Sequence, residues 1–350
     1  MGKKLRLYYF LVLLLLLSIL GGYGNYLHKE SLSASSDNVK EFVYASGVPI
    51  GIYIKTDGIL VLGIQKIKAE NGRTVSPADC KLKAGDYILK LNKNKITSKK
   101  QFIRLLQRNG ERDIILTIKR NDRISTVKLR PVFSKDNECY QLGIWIRNDT
   151  QGIGTVTAIK NDGTFFALGH GISDNNLGIR LKIEGGSIYR TSISSILKGK
   201  PGNPGEIIGT IDYFPGNYLG SVSKNTNGGI RGKLSKCQTD FCVGDPLPVA
   251  SKNEVKKGNA YLRSSISGKS RDYTIEIEKV LSKDKNSLKS LRIKVTDPEL
   301  LRLTGGIIQG LSGSPIIQNG KLAGAVTHVL VDDPTKGYGI FLENMMGADE

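Results

Sequence analysis

Gly310-Leu311-Ser312-Gly313-Ser314-Pro315 is the stretch whose reading decides the fold. Apolar, β-branched runs flank it at residues 306–308 and 316–317, so it reads as a tight turn between strands. A serine hydroxyl is a weak nucleophile unless a turn presents it beside a base and in front of backbone donors for an oxyanion. The pattern Gly-x-Ser-Gly-x-Pro supplies the turn, and the amides of Gly310 and Ser312 can point into one oxyanion hole. A plain Gly/Ser turn between strands fits the hexapeptide equally well. What separates the two readings is whether the chain also offers a base.

Three histidines are available. His28 lies in a polar stretch just after an apolar N-terminal segment. His170 ends the apolar run Phe165-Phe166-Ala167-Leu168-Gly169 and opens Gly171-Ile172-Ser173-Asp174, so a strand delivers it to a glycine-flanked turn. His328 sits inside Ala325-Val326-Thr327-His328-Val329-Leu330-Val331, which reads as a mostly buried strand with a structural histidine. His170 is therefore the candidate base. A base of this kind needs a carboxylate to fix its tautomer and to stabilise the imidazolium. Asp174 follows His170 closely, and Asp297 precedes Ser312 at the end of the strand-like Leu291-Arg292-Ile293-Lys294-Val295-Thr296. Each can also be an ordinary turn aspartate, a description that Asp297-Pro298 fits well.

These residues resemble the stage IV sporulation protein B (SpoIVB) serine peptidases. The carriers are Ala167-Leu168-Gly169-His170-Gly171-Ile172-Ser173-Asp174 and Thr304-Gly305-Gly306-Ile307-Ile308-Gln309-Gly310-Leu311-Ser312-Gly313-Ser314-Pro315-Ile316-Ile317. Gly324-Ala325-Val326-Thr327-His328-Val329 and Asp333-Pro334-Thr335-Lys336-Gly337-Tyr338-Gly339 fit as well. The resemblance implies a chymotrypsin-like peptidase using His, Asp and Ser in that order, behind a membrane anchor and a PDZ domain. By motif the base is His170 and the nucleophile Ser312. The order of the motif favours Asp297 over Asp174 as the carboxylate. Leu311 stands where a Met is more usual, a swap that conserves volume. The family further implies self-cleavage, and cleavage of a membrane-bound regulator of an intramembrane protease that activates a late mother-cell sigma factor.

Composition agrees with this placement. The chain has 350 residues, 39% of them apolar, only 7% aromatic, and 41 glycines, which suits turn-rich β structure. Lys3, Lys4 and Arg6 precede an apolar run over residues 7–22, short of the roughly 20 residues of a spanning helix yet long for a signal peptide. Tyr23 and Tyr26 stand where a signal peptidase prefers small residues, so the expectation is an uncleaved anchor with the rest of the chain outside the cytoplasm. In the family's setting that is the intermembrane space around the forespore. The net charge of +19 is spread through turns, with no aromatic stacking platform and no nucleic-acid-binding motif. Attraction to an anionic membrane surface accounts for it, and nucleic acid is excluded as a partner. Four cysteines show no zinc spacing, so no metal and no cofactor is expected. Cys237 and Cys242 are either bridged or free thiols.

Between anchor and peptidase, Val48-Pro49-Ile50-Gly51-Ile52-Tyr53-Ile54 and Gly58-Ile59-Leu60-Val61-Leu62-Gly63-Ile64 read as two strands around Thr56-Asp57-Gly58. Lys81-Leu82-Lys83-Ala84-Gly85-Asp86-Tyr87-Ile88-Leu89-Lys90-Leu91-Asn92 resembles the PDZ signature, with residues 98–107 as the ligand-lining helix. PDZ domains add an extended peptide as a strand. The expected carboxylate loop is Val48, Pro49, Ile50 and Gly51.

The expected fold class is thus mainly β: an anchor helix over 1–25, a flexible linker over 26–44, a PDZ domain over 45–131 and a double β-barrel peptidase over 132–350. Two functions remain open. One is a serine endopeptidase acting on protein and peptide substrates, its own linker among them. The other is a PDZ adaptor on an inactive peptidase scaffold in the cell envelope.

Overall fold

From residue 42 onward, apolar side chains alternate with polar ones, and most of them enter antiparallel strands. The computed structural model describes Gly2 and residues 41–235, 241–282 and 287–348. The anchor, most of the linker and Cys237 lie outside the described residues. Among those described, no helix is long and apolar enough to cross a membrane. In chain order the main elements are β1 (Phe42–Ala45), β2 (Pro49–Ile64), β3 (Tyr87–Leu91), α1 (Lys99–Asn109), β4 (Ile114–Arg120), β5 (Arg123–Leu129), β6 (Ile144–Ile159), β7 (Thr164–Ala167) and β8 (Ile183–Tyr189). They continue as β9 (Tyr218–Thr226), β10 (Gly229–Leu234), β11 (Gly258–Ser264), β12 (Arg271–Val280), β13 (Leu291–Val295), α2 (Pro298–Thr304), β14 (Pro315–Gln318), β15 (Lys321–Val329) and β16 (Lys336–Phe341).

Strands β2, β6, β7, β10, β9 and β8 pair antiparallel around a closed circuit. Their inward residues, among them Ile50, Ile54, Val156, Phe165 and Ile188, form one core. Strands β11, β12, β13, β16, β15 and β14 close a second barrel around Leu262, Tyr273, Ile277, Ile293, Ile316 and Phe341. Each such side chain, fully removed from water, contributes roughly 1.5–3 kcal/mol. Closure also leaves no unpaired edge in either barrel. Ala158 and Phe166 of the first barrel pack with Ala325 and Ile340 of the second, which fixes the seam between them. The expected double β-barrel is present.

The PDZ unit is inserted into the first barrel rather than placed before it. The early part of β2 pairs with β6 and β8, while Ile59 and Leu60 further along it pair with β3. Thr56-Asp57-Gly58 is therefore no hairpin turn but a bend within one continuous strand. The Thr56 hydroxyl holds it by donating to the carbonyls of Gly58 and Asn148. Strands β3, β4 and β5 extend the sheet, and α1 covers it by burying Phe102 and Leu106 one turn apart. Ser98 caps α1, accepting from the Gln101 amide, and the helix runs two residues beyond its expected end to Asn109, with Gly110 as its C-cap. The PDZ boundary expected at residue 45 is corrected accordingly, because residues 42–56 belong to the peptidase sheet.

The expected carboxylate loop is corrected for the same reason. Ile50 is fully buried, and Pro49, Ile50 and Gly51 pair with Thr155, Gly154 and Ile153 of β6. Gly51 also pairs with Tyr189 of β8, so its strand has a partner on both sides. Val48 packs against the same barrel core. The groove beside α1 is bounded instead by residues 139–146. There the Gln107 amide donates to the Tyr140 carbonyl at 2.8 Å and accepts from the Tyr140 amide at 2.9 Å.

Candidate active site

A cleft of about 680 Å³ opens where the barrels meet. His170, Ser312, Gly310 and His328 all line it, together with Arg147, Arg180 and Gln309. None of its described lining residues is an Asp or a Glu.

His170 arrives from β7. Leu168 and Gly169 both adopt left-handed backbone, with φ of 74° and 71°, and this consecutive pair swings the chain out of the strand into the cleft. The His170 Nδ1 lies 3.1 Å from the Gly171 carbonyl oxygen. A carbonyl only accepts, so Nδ1 carries the proton and Nε2 is left as the basic nitrogen. Burial lowers the pKa of His170, and the Gly171 carbonyl partly opposes that shift.

Ser312 arrives from the turn before β14. Its amide-bearing loop is bolted to both barrels. Thr155 donates its amide to the Ser312 carbonyl at 3.1 Å and its hydroxyl to the Gly310 carbonyl at 2.8 Å. Gly313 donates its amide to Val326 of β15. Gly313 has φ of 96°, and a Cβ there would sit 2.2 Å from the Thr155 carbonyl oxygen and 2.5 Å from the Leu168 nitrogen. Only glycine lets the serine loop and the histidine loop approach this closely. The amides of Leu311, Gly313 and Ser314 have intrachain acceptors, whereas none is recorded for Gly310 or Ser312 among the described residues. Those are the two amides expected at the oxyanion hole. Ser312 is half-buried and donates its hydroxyl to the Thr327 carbonyl at 2.8 Å. Ser314 is fully buried, its hydroxyl without a partner among the described residues.

Neither carboxylate expected beside the base touches it. Asp174 is fully buried. One of its oxygens accepts from Arg147 at 2.7 Å and the other from the amides of Asn176 and Leu177. Its work is to tie the loop after His170 to β6. Asp297 is the N-cap of α2, accepting from the amides of Glu299 and Leu300 at 3.0 Å and from Thr274 at 3.2 Å. It does not line the cleft. The role given to Asp297 by motif order is therefore corrected in this structure to a helix cap.

The strand pattern predicts a buried structural role for His328, and the structure corrects that too. The pairing of β15 with β16 shifts register between Val326 and His328. The irregularity leaves Thr327 buried and turns His328 out into the cleft. Its ring centroid lies 5.1 Å from that of His170, with the planes tilted by 35°. His328 keeps much of its surface in water at the cleft mouth; partial desolvation, then the neighbouring charges of His170 and Lys289, lower its pKa to about 4. Thr155, Thr157 and Arg147 also serve the site, and two threonines alternating on one strand are a readable sign of a face that donates hydrogen bonds.

The model of the SpoIVB peptidase S55 family matches residues 138–346, well over half of the chain. The chain belongs to that family. A PDZ domain model matches residues 70–120, within the inserted unit. It is a serine peptidase carrying a PDZ domain, and its substrates are proteins or peptides. No curated protein matches the sequence. Among solved structures, the PDZ domain of an SdrC-like protein from Listeria monocytogenes is 19% identical, over 27% of this chain and 90% of that one, with a TM-score of 0.23. The active form of the Rv3671c protease from M. tuberculosis is 13% identical, over 57% and 76%, with a TM-score of 0.30. The HtrA-type protease AlgW with a decapeptide is 9% identical, over 87% and 63%, with a TM-score of 0.32. At such distances the account of the site rests on this chain's own residues.

Proposed function

We propose that the chain is a membrane-tethered serine endopeptidase in which Ser312 is the nucleophile and His170 the general base. The observation that carries this reading is the meeting of the two loops at Gly313, which brings both side chains to one cleft beside two uncommitted amides. The Ser312 oxygen attacks the scissile carbonyl carbon while its proton passes to His170 Nε2. The carbonyl oxygen becomes an oxyanion and accepts from the amides of Gly310 and Ser312. The C–N bond then breaks, and the leaving amine takes the proton from His170. Water hydrolyses the acyl-enzyme by the same steps, with the acyl carbon as its target.

Labelling the full chain with a fluorophosphonate probe and mapping the modified residue tests this. Ser312→Ala abolishes labelling, a loss on the order of 10⁴-fold or more in turnover. Ser314→Ala leaves labelling close to wild type, because that hydroxyl is sealed from the cleft. Probe on Ser314 alone overturns the assignment.

The family supports a finer reading: a signalling peptidase of sporulation, held by its N-terminal anchor with the catalytic region in the space around the forespore. There it would cut its own linker between Tyr26 and Glu41 and a membrane-bound regulator of an intramembrane protease, leading to the late mother-cell sigma factor. The basic residues before the apolar run and the polar, serine-rich linker support the anchor and the cut site. Expression of wild type and Ser312→Ala, followed by N-terminal sequencing of any released form, decides the self-cleavage. Release of the Ser312→Ala chain alone, in cells with no active copy, assigns the cut to another protease.

A further inference from the structure

The segment after His170 doubles back on itself before entering β8. The Leu181 amide donates to the Ile172 carbonyl at 2.9 Å, the Asp174 amide donates to the Ile179 carbonyl at 2.9 Å, and Ser173 pairs with Arg180. Gly178, with φ of 65°, permits the tight return. The fold-back lays Arg180 beside the base. A Cβ on Gly171 would sit 2.9 Å from Arg180 Cδ, so the arginine stem lies against the residue that follows His170. Arg180 lines the same cleft as His170 and Ser312. We propose that Arg180 makes the peptidase select substrates with an acidic side chain, Asp or Glu, within about two residues of the scissile bond, the reach set by the advance of an extended peptide. This rests on the reading of Ser312 as nucleophile and His170 as base.

The charge of Arg180 is not matched within the protein. Arg147, the other arginine of the cleft, is paired with Asp174 at 2.7 Å, whereas Arg180 has no ion pair among the described residues. Among those residues its side chain makes one hydrogen bond, from Nη1 to the Asn225 carbonyl at 3.1 Å. That bond steadies the guanidinium from one side and leaves the other N–H donors of the fork open. Asn225 is a firm anchor. It is buried, its side-chain amide donates to the carbonyls of Ile172 and Leu181 at 2.8 and 2.9 Å, and its oxygen accepts from the Ile172 amide at 2.8 Å. A guanidinium held this way presents parallel donors that match a carboxylate bidentately, with little further ordering on binding. Gln or Asn at the same substrate position brings no charge and a single acceptor oxygen. Lys or Arg there is repelled, and an apolar side chain strips water from the guanidinium without replacing its hydrogen bonds.

The test digests a library of synthetic peptides of random sequence with the full chain and maps every cut by mass spectrometry. Wild type cuts where Asp or Glu stands near the bond. For the best-cut peptide, kcat/KM exceeds that of the same peptide carrying Gln or Asn at that position by roughly 10-fold or more, the range of a charge-assisted hydrogen bond. High salt shrinks this ratio. Arg180→Gln brings the ratio to within about twofold of unity, because the discriminating contact is gone. Arg180→Lys keeps part of it, and Arg180→Glu moves the preference to Lys and Arg. A folded Arg180→Gln chain with the wild-type ratio overturns the proposal. Should Arg180→Gln and Arg180→Glu fail to fold, judged by loss of the melting transition, Arg180→Lys carries the test, and an unchanged ratio there overturns it. Cuts gathered at peptide C-termini whatever the sequence assign Arg180 to the terminal carboxylate and overturn the side-chain reading. Fluorophosphonate labelling of the wild type separates the two levels. Ser312 that takes no label overturns the assignment of the reacting pair. A labelled Ser312 in a protein that leaves acidic peptides uncut, or cuts without regard to them, overturns the selectivity alone.

Discussion

Thr157 donates its hydroxyl to the carbonyl of Gly313 at 2.6 Å, a buried bond joining a strand of the first barrel to the nucleophile loop of the second. With Thr155, two positions earlier on the same face, it makes β6 the template on which the serine loop is laid. The catalytic geometry thus depends on the two barrels docking, not on either barrel alone.

Thr157→Val tests that dependence. The substitution keeps the shape and removes the donor, leaving the Gly313 carbonyl buried and unsatisfied at a cost of about 1–3 kcal/mol. Denaturant unfolding should show that loss, and Ser312 labelling should slow by roughly 10-fold or more as the loop shifts. Unchanged labelling in a destabilised protein would mean that the loop holds its shape without the first barrel.

The two aspartates separate in the same way. Asp297→Ala removes the cap of α2 and should cost about 1 kcal/mol of stability, with labelling of Ser312 largely retained. Asp174→Asn breaks the pair with Arg147. Because that guanidinium is 35% exposed, the cost should fall near or below the lower end of the roughly 3–5 kcal/mol range for buried pairs. The loop carrying His170 loosens with it, so labelling falls more than in the Asp297 variant. A complete loss of labelling in a well-folded Asp297→Ala protein would return Asp297 to the base.

The parts of this site legible in the sequence are those written in consecutive residues. Gly310 to Pro315 reads as a serine turn, and Asn161-Asp162-Gly163 announces the hairpin that delivers His170. Asp297-Pro298 also reads locally as the turn aspartate it proves to be, and only the order of the motif suggested otherwise. Long-range partnership was not legible. Ile50, Ile52 and Ile54 alternate in the same way whether their strand belongs to a PDZ sheet or to a barrel, so the alternation could not reveal that β2 serves both. His328 was hidden for a related reason. Strand periodicity assigns a face by counting residues, and one register shift between Val326 and His328 defeats the count.

The acid stability of the protein should carry the signature of His328. A histidine whose folded pKa, here about 4, lies below its ordinary value of 6.5 takes up protons more readily when the chain is unfolded. Above about pH 6.5 both states are neutral and it adds no pH dependence. Between that value and pH 4 the unfolded chain is the more protonated, so stability falls as the pH drops. The depressed pKa of His170 acts in the same direction. Carboxylates act lower. Asp113, held to about 2 by Arg130 and Lys128, loses its contribution only as the pH falls below 3.8. Urea unfolding of the full chain at pH 4, 5, 6 and 7 should show a shallower pH slope for His328→Phe than for wild type. Its residual slope belongs to His170 and the other groups that titrate in this range. Equal slopes would show that His328 titrates in the folded protein as it does in the unfolded chain, and hence that its neighbours in the cleft do not hold it neutral.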